Sequence, residues 1–385
     1  MNILFDFIPF QHAGGIGGHA SFTKRILDEI LLRKEDGIRL FGAVDSTMPR
    51  SEMYDTDQIA ATNNISLIDL SKNRLSTAIE EHHIEVFFIA IGQLYAKYDL
   101  KGIRCKTVMF IHDIFDVERC DNWVDAIIFD QHIDTLWTQA KRWANLLGGR
   151  WNRQKKACYD TIIPLYSSPN TKAYTVSHYT KSALRYYFNN VGNDIKICYS
   201  PIKNPILNPA IENTELANLI DSGCPYLLML AANRRYKNPR IITQVFQRLK
   251  ADRPEIHLLT LKYGSSICAG HVDIEFLSDS DLEHAYKNAA ALVFPSFFEG
   301  FGYPPIEAAK YSTPTVASNV TSIPEILGDA GCYFSPFYPA ALYQAILTVL
   351  DGREQFAERA RKRYEYIKEI QERQLKDLIR ELTTI

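Results

Sequence analysis

Short apolar runs of β-type residues alternate with longer helix-like stretches along the chain. Seven runs lie in the first half, at residues 3–8, 39–44, 65–70, 86–91, 107–111, 173–177 and 195–200. Six lie in the second half, at residues 226–232, 257–261, 274–277, 291–294, 315–318 and 332–334. Strands that alternate with helices are typical of parallel sheets covered by helices. The pattern predicts two doubly wound α/β domains with a ligand cleft between them.

A proline-rich stretch separates the two series of strands. Pro201, Pro205 and Pro209 punctuate it, which is typical of a linker and places the domain boundary near residues 203 and 204. Further along, the charged stretch 354–382 carries a patchy apolar stripe at helical spacing. This pattern predicts a surface helix that packs across the domains.

One segment of the first half departs from the alternation. All four tryptophans fall there, and residues 133–147 repeat apolar side chains at helical spacing before two glycines. Positions 138–156 contain six lysines and arginines and no acidic residue. We expect a helical insertion over residues 117–160. Either its tryptophans fill local core, or residues 123–156 form an aromatic, cationic surface for an anionic membrane or a charged acceptor.

The composition of the 385-residue chain, 46% hydrophobic and 23% charged, is that of a globular protein. A formal net charge of -2 argues against a nucleic-acid partner bound through overall basicity. The seven cysteines form no Cys-x-x-Cys pair, which favours reduced thiols over disulfides or a zinc site. The sequence shows neither an apolar stretch of membrane-spanning length nor the basic start of a signal peptide. We expect a cytoplasmic protein, or one bound peripherally at the inner face of the membrane.

A glycine-rich loop follows the first predicted strand. Residues 14–20 read GGIGGHA and lead into a helical stretch, and Asp45 ends the next strand, as in a dinucleotide-binding fingerprint. In that fingerprint the first glycine follows the strand almost directly, whereas residues 9–13 intervene here. The spacing therefore disfavours NAD. The loop still offers backbone N–H groups to phosphate or hydroxyl oxygens.

A cluster of cations follows the strand predicted at residues 226–232. Arg234, Arg235 and Lys237 lie at its carboxyl end, directly before a predicted helix. Cations at this edge of a parallel sheet, with a helix N-terminus behind them, are suited to a diphosphate. The alternative is a solvated loop that caps the helix.

Two further polar motifs are weaker. His112 and Asp113 follow the run at residues 107–111, where they either orient a polar substrate or cap a turn. The triplet at residues 279–281, Asp-Ser-Asp, resembles a metal-binding motif, but Ser280 and Glu283 have the spacing of a helix capping box. We therefore predict a helix at residues 282–290 and no metal.

The nine residues 299–307, EGFGYPPIE, place two carboxylates around two glycines and two prolines. Pro304 and Pro305 fit the first turn of a helix because they lack N–H groups. The glycines let the turn approach a ligand closely. Glu299 then lies in the loop and Glu307 one turn inside the helix, so the two carboxylates face different parts of one ligand instead of forming an acid/base pair. Carboxylates beside backbone N–H groups favour a polyol ligand.

Residues 299–307 resemble the Glu-x7-Glu motif of the retaining glycosyltransferases of family 4, also called glycosyltransferase group 1. The runs 276–296 and 322–325 resemble the same family, as do the glycine loop, His112-Asp113, Val176-Ser177 and residues 234–238, in order and spacing. The resemblance covers nearly the whole chain and is most specific in the C-terminal half. The overall pattern is most similar to bacterial mannosyltransferases of surface polysaccharide synthesis.

The resemblance implies a GT-B fold, with two Rossmann-like domains facing across a cleft. It implies an acceptor domain at 1–203, a nucleotide-sugar donor domain at 204–365, and a C-terminal helix at 366–385 that crosses back to the first domain. The implied reaction moves a hexose, with mannose favoured, from a nucleotide sugar to a glycan or lipid-linked glycan. It retains the anomeric configuration and needs no metal or other cofactor. GDP-mannose is the favoured donor, and a UDP-sugar is the alternative.

The resemblance also implies roles for individual residues. Lys237 and Arg234 would hold the diphosphate, Glu307 the nucleotide ribose, and Glu299 the hydroxyls of the donor sugar. His112 would contact that sugar from the other domain. The catalytic set is thus His112, Arg234, Lys237 and Glu299. The other donor-binding positions are Gly15, Ile16, Gly17, Gly300, Phe301, Gly302, Tyr303 and Glu307.

The resemblance is incomplete at the cationic loop. Many relatives have arginine immediately before the motif lysine, where this chain has Tyr236. Either Arg234 or Arg235 therefore takes the diphosphate role. Two other functions also stay open: a sugar-nucleotide epimerase or sugar phosphorylase, and a non-catalytic nucleotide-sugar binding protein.

Overall fold

The computed structural model describes residues 1–12, 18–33, 37–49, 51, 53–121, 134–147, 150–192, 194–203, 206 and 209–384. By compactness the chain divides into two units. The first contains Met1–Asp121, Gly149–Lys203 and Ile370–Ile385, and the second contains Asn122–Gly148 and Asn204–Glu369.

The first unit is built on a parallel sheet of seven strands. In chain order they are β1 (Asn2–Asp6), β2 (Arg39–Val44), β3 (Ser66–Asp69), β4 (Val86–Ile89), β5 (Lys106–Phe110), β6 (Thr171–Thr175) and β7 (Lys196–Ile197). Their spatial order is β3-β2-β1-β4-β5-β6-β7. The helices of this unit are Ile8–Gln11, Gly18–Arg33, Thr56–Thr62, Leu75–Glu81, Phe115–Asp121, Arg150–Tyr166 and His178–Tyr187. The central strands β1, β2, β4 and β5 are largely apolar and buried, as expected for a parallel sheet covered by helices on both faces.

The second unit is built on a parallel sheet of six strands. They are β8 (Tyr226–Met229), β9 (His257–Leu261), β10 (His271–Ile274), β11 (Ala291–Phe294), β12 (Thr315–Ser318) and β13 (Gly331–Phe334), in the spatial order β10-β9-β8-β11-β12-β13. Its helices are Leu136–Leu147, Thr214–Asp221, Pro239–Asp252, Asp279–Asn288, Tyr303–Lys310, Ile323–Leu327 and Pro339–Asp351. The prediction of two parallel α/β sheets is confirmed.

The last helix, Arg353–Thr383, contributes to both units. Near its start, Arg363 donates a hydrogen bond of 2.7 Å to the carbonyl of Ile326 in the second unit. Near its end, the carboxylate of Glu381 pairs with Lys106 and Lys196 of the first unit at 2.8 and 2.7 Å. The predicted C-terminal helix is confirmed.

The predicted Trp-rich insertion contains two helices, Leu136–Leu147 and Arg150–Tyr166, on either side of a unit boundary. The sequence places the whole insertion in the first domain. The structure groups Leu136–Leu147 with the second unit and Arg150–Tyr166 with the first. Trp123, together with part of the predicted linker, lies outside the described residues.

Two predicted local elements are wrong. The strand expected at 274–277 is His271–Ile274, an edge strand whose polar Asp273 accepts hydrogen bonds from the loop after β9. An edge strand tolerates polar side chains. The apolar run at residues 274–277 therefore overlapped the real strand only at Ile274. The capping box expected from Ser280 and Glu283 is formed by Ser278 and Asp281, and the helix is Asp279–Asn288.

Candidate active site

The carboxyl ends of β8 and β11 bring the two predicted motifs of the second unit together. These strands are neighbours in a parallel sheet, so the loops that follow them leave the same edge side by side. The cations at 234–237 follow β8, and the stretch beginning at Glu299 follows β11. A hydrogen bond of 2.8 Å from the N–H of Phe297 to the carbonyl of Tyr236 joins the two loops.

Lys237 and Glu299 form a mostly buried ion pair at this edge. Lys237 Nζ lies 2.5 Å from Glu299 Oε1, and the two side chains are only 10% and 12% exposed. The ammonium also lies 4.7 Å from the ring centroid of Phe294, the last residue of β11. A cation held in such a poorly hydrated place interacts more strongly with an anion than one in water does. The pair therefore fixes a charged group where a phosphate could contact it.

Local backbone geometry sets the position of Lys237. It ends a single 3-10 turn, Arg235–Lys237, after which Asn238 adopts a left-handed conformation with φ 57°. The Asn238 amide donates to the carbonyl of Pro336 at 2.9 Å. Pro239 then begins the helix Pro239–Asp252, where its missing N–H costs nothing. The turn is thus held at both its backbone and its side chains.

The two arginines that the sequence left as alternatives have different environments. Arg235 Nε donates to Asp134 Oδ2 at 3.1 Å, and its side chain is 10% exposed. Arg234 is exposed and donates to the hydroxyl of Tyr236 at 3.1 Å. Arg235 is already engaged by a buried carboxylate, whereas Arg234 is the exposed arginine at the strand edge.

The loop that carries Glu299 is anchored by the loop after β12. The N–H of Glu299 donates to Thr321 Oγ1 at 3.1 Å, and the hydroxyl of Ser322 lies 2.9 Å and 3.1 Å from the carbonyl oxygens of Glu299 and Phe301. Gly302 precedes the helix with φ 94°, a conformation that favours glycine. The helix is Tyr303–Lys310, so the predicted start at the prolines is confirmed.

Glu307 has a different partner from Glu299. Its Oε2 accepts a hydrogen bond of 2.7 Å from the hydroxyl of Tyr286, which is fully buried. Burial, together with the charge and hydrogen bond of Glu307, raises the pKa of Tyr286 well above its usual value. Tyr286 therefore remains a donor at neutral pH and orients the Glu307 carboxylate. The two glutamates are separate acceptors, each with its own support.

In the first unit, His112 lies just beyond β5 and is buried. Its Nε2 lies 3.0 Å from the carbonyl oxygen of Ala90. Because a carbonyl only accepts, this contact assigns the proton to Nε2 and leaves Nδ1 as an acceptor in the neutral ring. Burial lowers the pKa of His112 well below 6.5, with a further contribution from His19. His112 is therefore a neutral side chain that can accept a hydrogen bond.

The glycine loop before the helix Gly18–Arg33 includes the predicted positions Gly15, Ile16 and Gly17, which lie outside the described residues. His19 in the first turn of that helix packs edge-on against His112, with ring centroids 5.2 Å apart. The start of the helix therefore lies beside His112.

Asp45, the acidic residue that a dinucleotide-binding fingerprint would require, is bound by side chains of the first unit. Asp45 Oδ2 pairs with Lys97 Nζ at 2.5 Å and accepts from the hydroxyl of Tyr98 at 2.6 Å. Although burial raises the pKa of Asp45, the hydrogen bonds from Lys97, Thr47 and Tyr98 hold it well below its usual value. These contacts disfavour a role for Asp45 in binding a nucleotide ribose.

Several supporting residues carry no signal that sequence reasoning recognised. Tyr286 lies in a helix 21 residues before Glu307, and Asp134 lies 101 residues before Arg235. Ser322 could have been noticed, because it begins the Ser-Ile-Pro-Glu run that resembles the family. Partners so distant in sequence are found only after the chain has folded.

Two kinds of feature are absent from the part of the chain that the structure describes. No group of three or more His, Cys, Asp or Glu side chains there is placed to hold a metal ion. Within the same part of the chain, no helix has both the length and the apolar character needed to cross a bilayer.

Two parallel α/β sheets, with a last helix that contributes to both units, define the GT-B class of fold. The structure of WaaG, a glycosyltransferase involved in lipopolysaccharide biosynthesis, is similar over 100% of both chains, with a TM-score of 0.65 and 14% sequence identity. Residues 224–352 match the family model described as Glycosyl transferases group 1.

Two curated relatives match parts of the chain. O-antigen chain mannosyltransferase B of Escherichia coli is 49% identical over 61 residues, which are 16% of this chain and 16% of the relative. O-antigen chain mannosyltransferase RfbU of Salmonella typhimurium is 27% identical over 175 residues, which are 42% of this chain and 46% of the relative. The chain thus spans less than half the length of either relative.

Proposed function

We propose that this protein is a retaining glycosyltransferase that moves a hexose from a nucleotide sugar to a glycan or lipid-linked glycan. The observation that carries the proposal is the buried Lys237–Glu299 pair at the carboxyl edge of the second sheet. It places a poorly hydrated cation beside a carboxylate, which suits a ligand with a phosphate next to hydroxyl groups. Mannose is the favoured sugar because both curated relatives described above are named mannosyltransferases.

Each site residue has a role in this proposal. Lys237 and Arg234 bind the diphosphate, and Glu307, oriented by Tyr286, accepts hydrogen bonds from the nucleotide ribose. Glu299 accepts from the hydroxyls of the donor sugar. His112 accepts a hydrogen bond from a sugar hydroxyl through Nδ1, because its Nε2 proton is used by Ala90.

The chemical step breaks the bond between the anomeric carbon and the phosphate oxygen and forms a bond to the acceptor oxygen. In front-face attack the acceptor hydroxyl gives its proton to the departing phosphate, so no enzymic carboxylate acts as nucleophile. Lys237 and Arg234 stabilise the negative charge that develops on the leaving diphosphate. Preorganised groups of this kind typically contribute about 3 kcal/mol each to lowering the barrier.

A lipid-linked acceptor would bring the protein to an anionic membrane, and the helix Leu136–Leu147 supports contact with one. Leu136, Trp137 and Leu147 are 84%, 70% and 82% exposed, whereas Arg142 is turned inward. This helix is the reverse of an ordinary surface helix. Lys141 on the same helix is exposed and adds a positive charge that complements anionic headgroups. The alternative that the tryptophans fill core is therefore wrong for Trp137 and for Trp143, which is also exposed.

The donor is tested by thermal unfolding with GDP, UDP, ADP and dTDP. A ligand at 100 times its dissociation constant adds about 2.7 kcal/mol of stability, so the matching nucleotide should raise Tm most. We expect GDP to do so, and UDP is the alternative. Stabilisation by none of the four would contradict the proposal. Incubation with the matching nucleotide sugar and no acceptor separates an epimerase, which changes the sugar, from a transferase.

The membrane contact is tested by sedimentation with phosphatidylglycerol vesicles at low salt. We expect the protein to sediment with them, and much less with phosphatidylcholine vesicles. A Trp137→Ser/Leu147→Ser variant should lose this binding. Phe276→Ser is the matched control, because Phe276 is an exposed aromatic residue elsewhere in the second unit. Equal binding by all three proteins would assign the contact to another surface.

A further inference from the structure

Asp134 bridges two arginines beneath the cationic loop. Its Oδ1 lies 2.5 Å from Arg142 Nη1, and its Oδ2 accepts from Arg235 Nε at 3.1 Å. The carboxylate is only 1% exposed, and the two arginine side chains are about as buried as Lys237. Arg142 is held further by the Gln139 side chain, one turn earlier in its helix. The helix Leu136–Leu147 is thus connected through Asp134 to the loop after β8.

The bridge holds one end of the turn that carries Lys237. Arg235 is the first residue of the 3-10 turn and Lys237 the last. The Arg235 side chain reaches Asp134 while the Lys237 side chain reaches Glu299, so two ion pairs fix a three-residue turn from two directions. A displacement of Arg235 would also move the backbone that sets the direction of the Lys237 side chain.

The bridge also decides which arginine is available to a ligand. A guanidinium that binds a phosphate does so through planar N–H groups, commonly two at once. Arg235 gives its Nε to Asp134, whereas Arg234 is exposed and contacts the hydroxyl of Tyr236. Release of Arg235 would remove one of the cations that face the buried Asp134 carboxylate, which is unfavourable.

We propose that Asp134 is a positioning residue for the nucleoside-diphosphate site. It holds Arg235 as a structural anchor, which fixes the turn that presents Lys237 and leaves Arg234 as the arginine that contacts the phosphates. The proposal rests on the function proposed above, since it concerns the same site. It assigns a role in donor binding to the Trp-rich segment, which lies between β5 and β6 in sequence.

The variant Asp134→Asn tests whether Asp134 strengthens or weakens nucleotide binding. If Asp134 positions the turn, loss of its charge weakens GDP and UDP binding and lowers kcat/KM, by roughly tenfold to 100-fold, as small misplacements of catalytic groups do. If Asp134 instead withholds Arg235 from the ligand, the same variant binds the nucleotide more tightly. Titration calorimetry with GDP and UDP measures both outcomes. Unchanged or tighter binding overturns the proposal.

Two further variants separate positioning from general destabilisation. Asp134→Glu keeps the charge and should restore much of the affinity. Glu381→Gln weakens partly buried ion pairs of the first unit, with Lys106 and Lys196 at 2.8 and 2.7 Å, and should lower Tm without changing nucleotide affinity. If Asp134→Asn changes affinity no more than Glu381→Gln at equal loss of Tm, the bridge is only structural and the proposal fails.

A readout without nucleotide keeps this test independent of the proposed function. The rate at which Lys237 of the free protein is acylated by an N-hydroxysuccinimide ester, followed by mass spectrometry, reports how firmly Glu299 holds it. We expect labelling of Lys237 to rise several-fold in Asp134→Asn and to stay unchanged in Glu381→Gln. Failure of every nucleotide to bind the wild-type protein would contradict the function, whereas unchanged labelling in Asp134→Asn would contradict the positioning role.

Discussion

The charged side chains at the carboxyl edges of the two sheets have different partners. At the second sheet, the buried pair of Lys237 and Glu299 lies where two neighbouring loops meet. At the first sheet, the acidic residues that end β1 and follow β2 are held by the fold: Asp6 accepts from the hydroxyl of Tyr95 at 2.8 Å, and Asp45 pairs with Lys97. We propose that the charged pair at the second edge contacts a ligand, whereas the carboxylates of the first edge are held by contacts within their own unit.

Burial explains the chemistry of the first edge. Asp6 is fully buried, and burial raises the pKa of its carboxyl group to about 7 although Tyr95, Ile8 and Ala90 donate hydrogen bonds to it. His112 is neutral for the same reason, because burial disfavours the charged ring. In the proposed function, phosphate charge is stabilised by the second unit, while His112 of the first unit is a neutral hydrogen-bonding group.

The largest effect should come from removing the cation of the second edge. Lys237→Ala should lower kcat for release of GDP from GDP-mannose, or of UDP if that is the matching donor, by about 3 kcal/mol in the barrier, roughly 100-fold to 1,000-fold. The reason is the loss of a preorganised charge beside the leaving group. Lys287→Ala, which removes an exposed lysine of the same unit, is the control and should leave the rate unchanged. Near-normal turnover by Lys237→Ala would contradict the assignment of phosphate stabilisation to the second edge.

A smaller effect on binding is expected at Glu307. Glu307→Ala should weaken binding of the matching nucleoside diphosphate by about 2 kcal/mol, since a charged acceptor of a ribose hydroxyl is lost. The rate of the bound complex should change little. Calorimetric titration measures the affinity, and Glu255→Ala, on an exposed loop of the same unit, serves as control. An equal loss of kcat with unchanged affinity would place Glu307 in the chemical step instead.

The smallest effect concerns stability and tests whether His112 is neutral in the folded protein. Burial lowers the pKa of His112 in the folded protein, so the unfolded chain takes up a proton near pH 6.5 while the folded protein does not. The contribution of His112 to the free energy of unfolding should therefore shrink as the pH falls below 6.5, by up to about 1.4 kcal/mol per pH unit.

Urea denaturation of the wild-type protein and of His112→Gln at pH 7.5, 6.5 and 5.5 checks this expectation. The difference in the free energy of unfolding between the two proteins should move in favour of the variant at pH 5.5. A difference that does not vary with pH would mean that His112 takes up its proton equally in the folded and unfolded states, contrary to its burial.

The sequence predicted features that arise from local patterns. Four strands, at residues 39–44, 257–261, 291–294 and 315–318, agree with the structure to the residue, because a buried parallel strand is a continuous apolar run between turns. The helix after Gly302 begins at Tyr303 because proline and glycine have strong conformational preferences. Where the signal was weak, at the edge strand β10 and at the cap of Asp279–Asn288, the predictions were displaced.

The candidate site was predicted as a set of residues, but its geometry was not. The apolar runs placed the cations after β8 and the glutamates after β11, and the parallel sheet made these loops neighbours. That Lys237 contacts Glu299, 62 residues away, depends on the order of strands in the sheet, which no local pattern gives. The roles of these residues in catalysis stay predictions.

Side-chain periodicity and turn chemistry act within a few residues, so the alternation of strands and helices, the parallel character of both sheets and the positions of the polar loops could be predicted from the sequence. The contact of Arg235 with Asp134, the exposure of Arg234 and the outward orientation of Leu136, Trp137, Trp143 and Leu147 are seen only in the folded chain. The physical reason is that ion pairs and burial depend on groups far apart in the chain, here 101 residues for Asp134 and Arg235. Their energies are set by which charges are removed from water together.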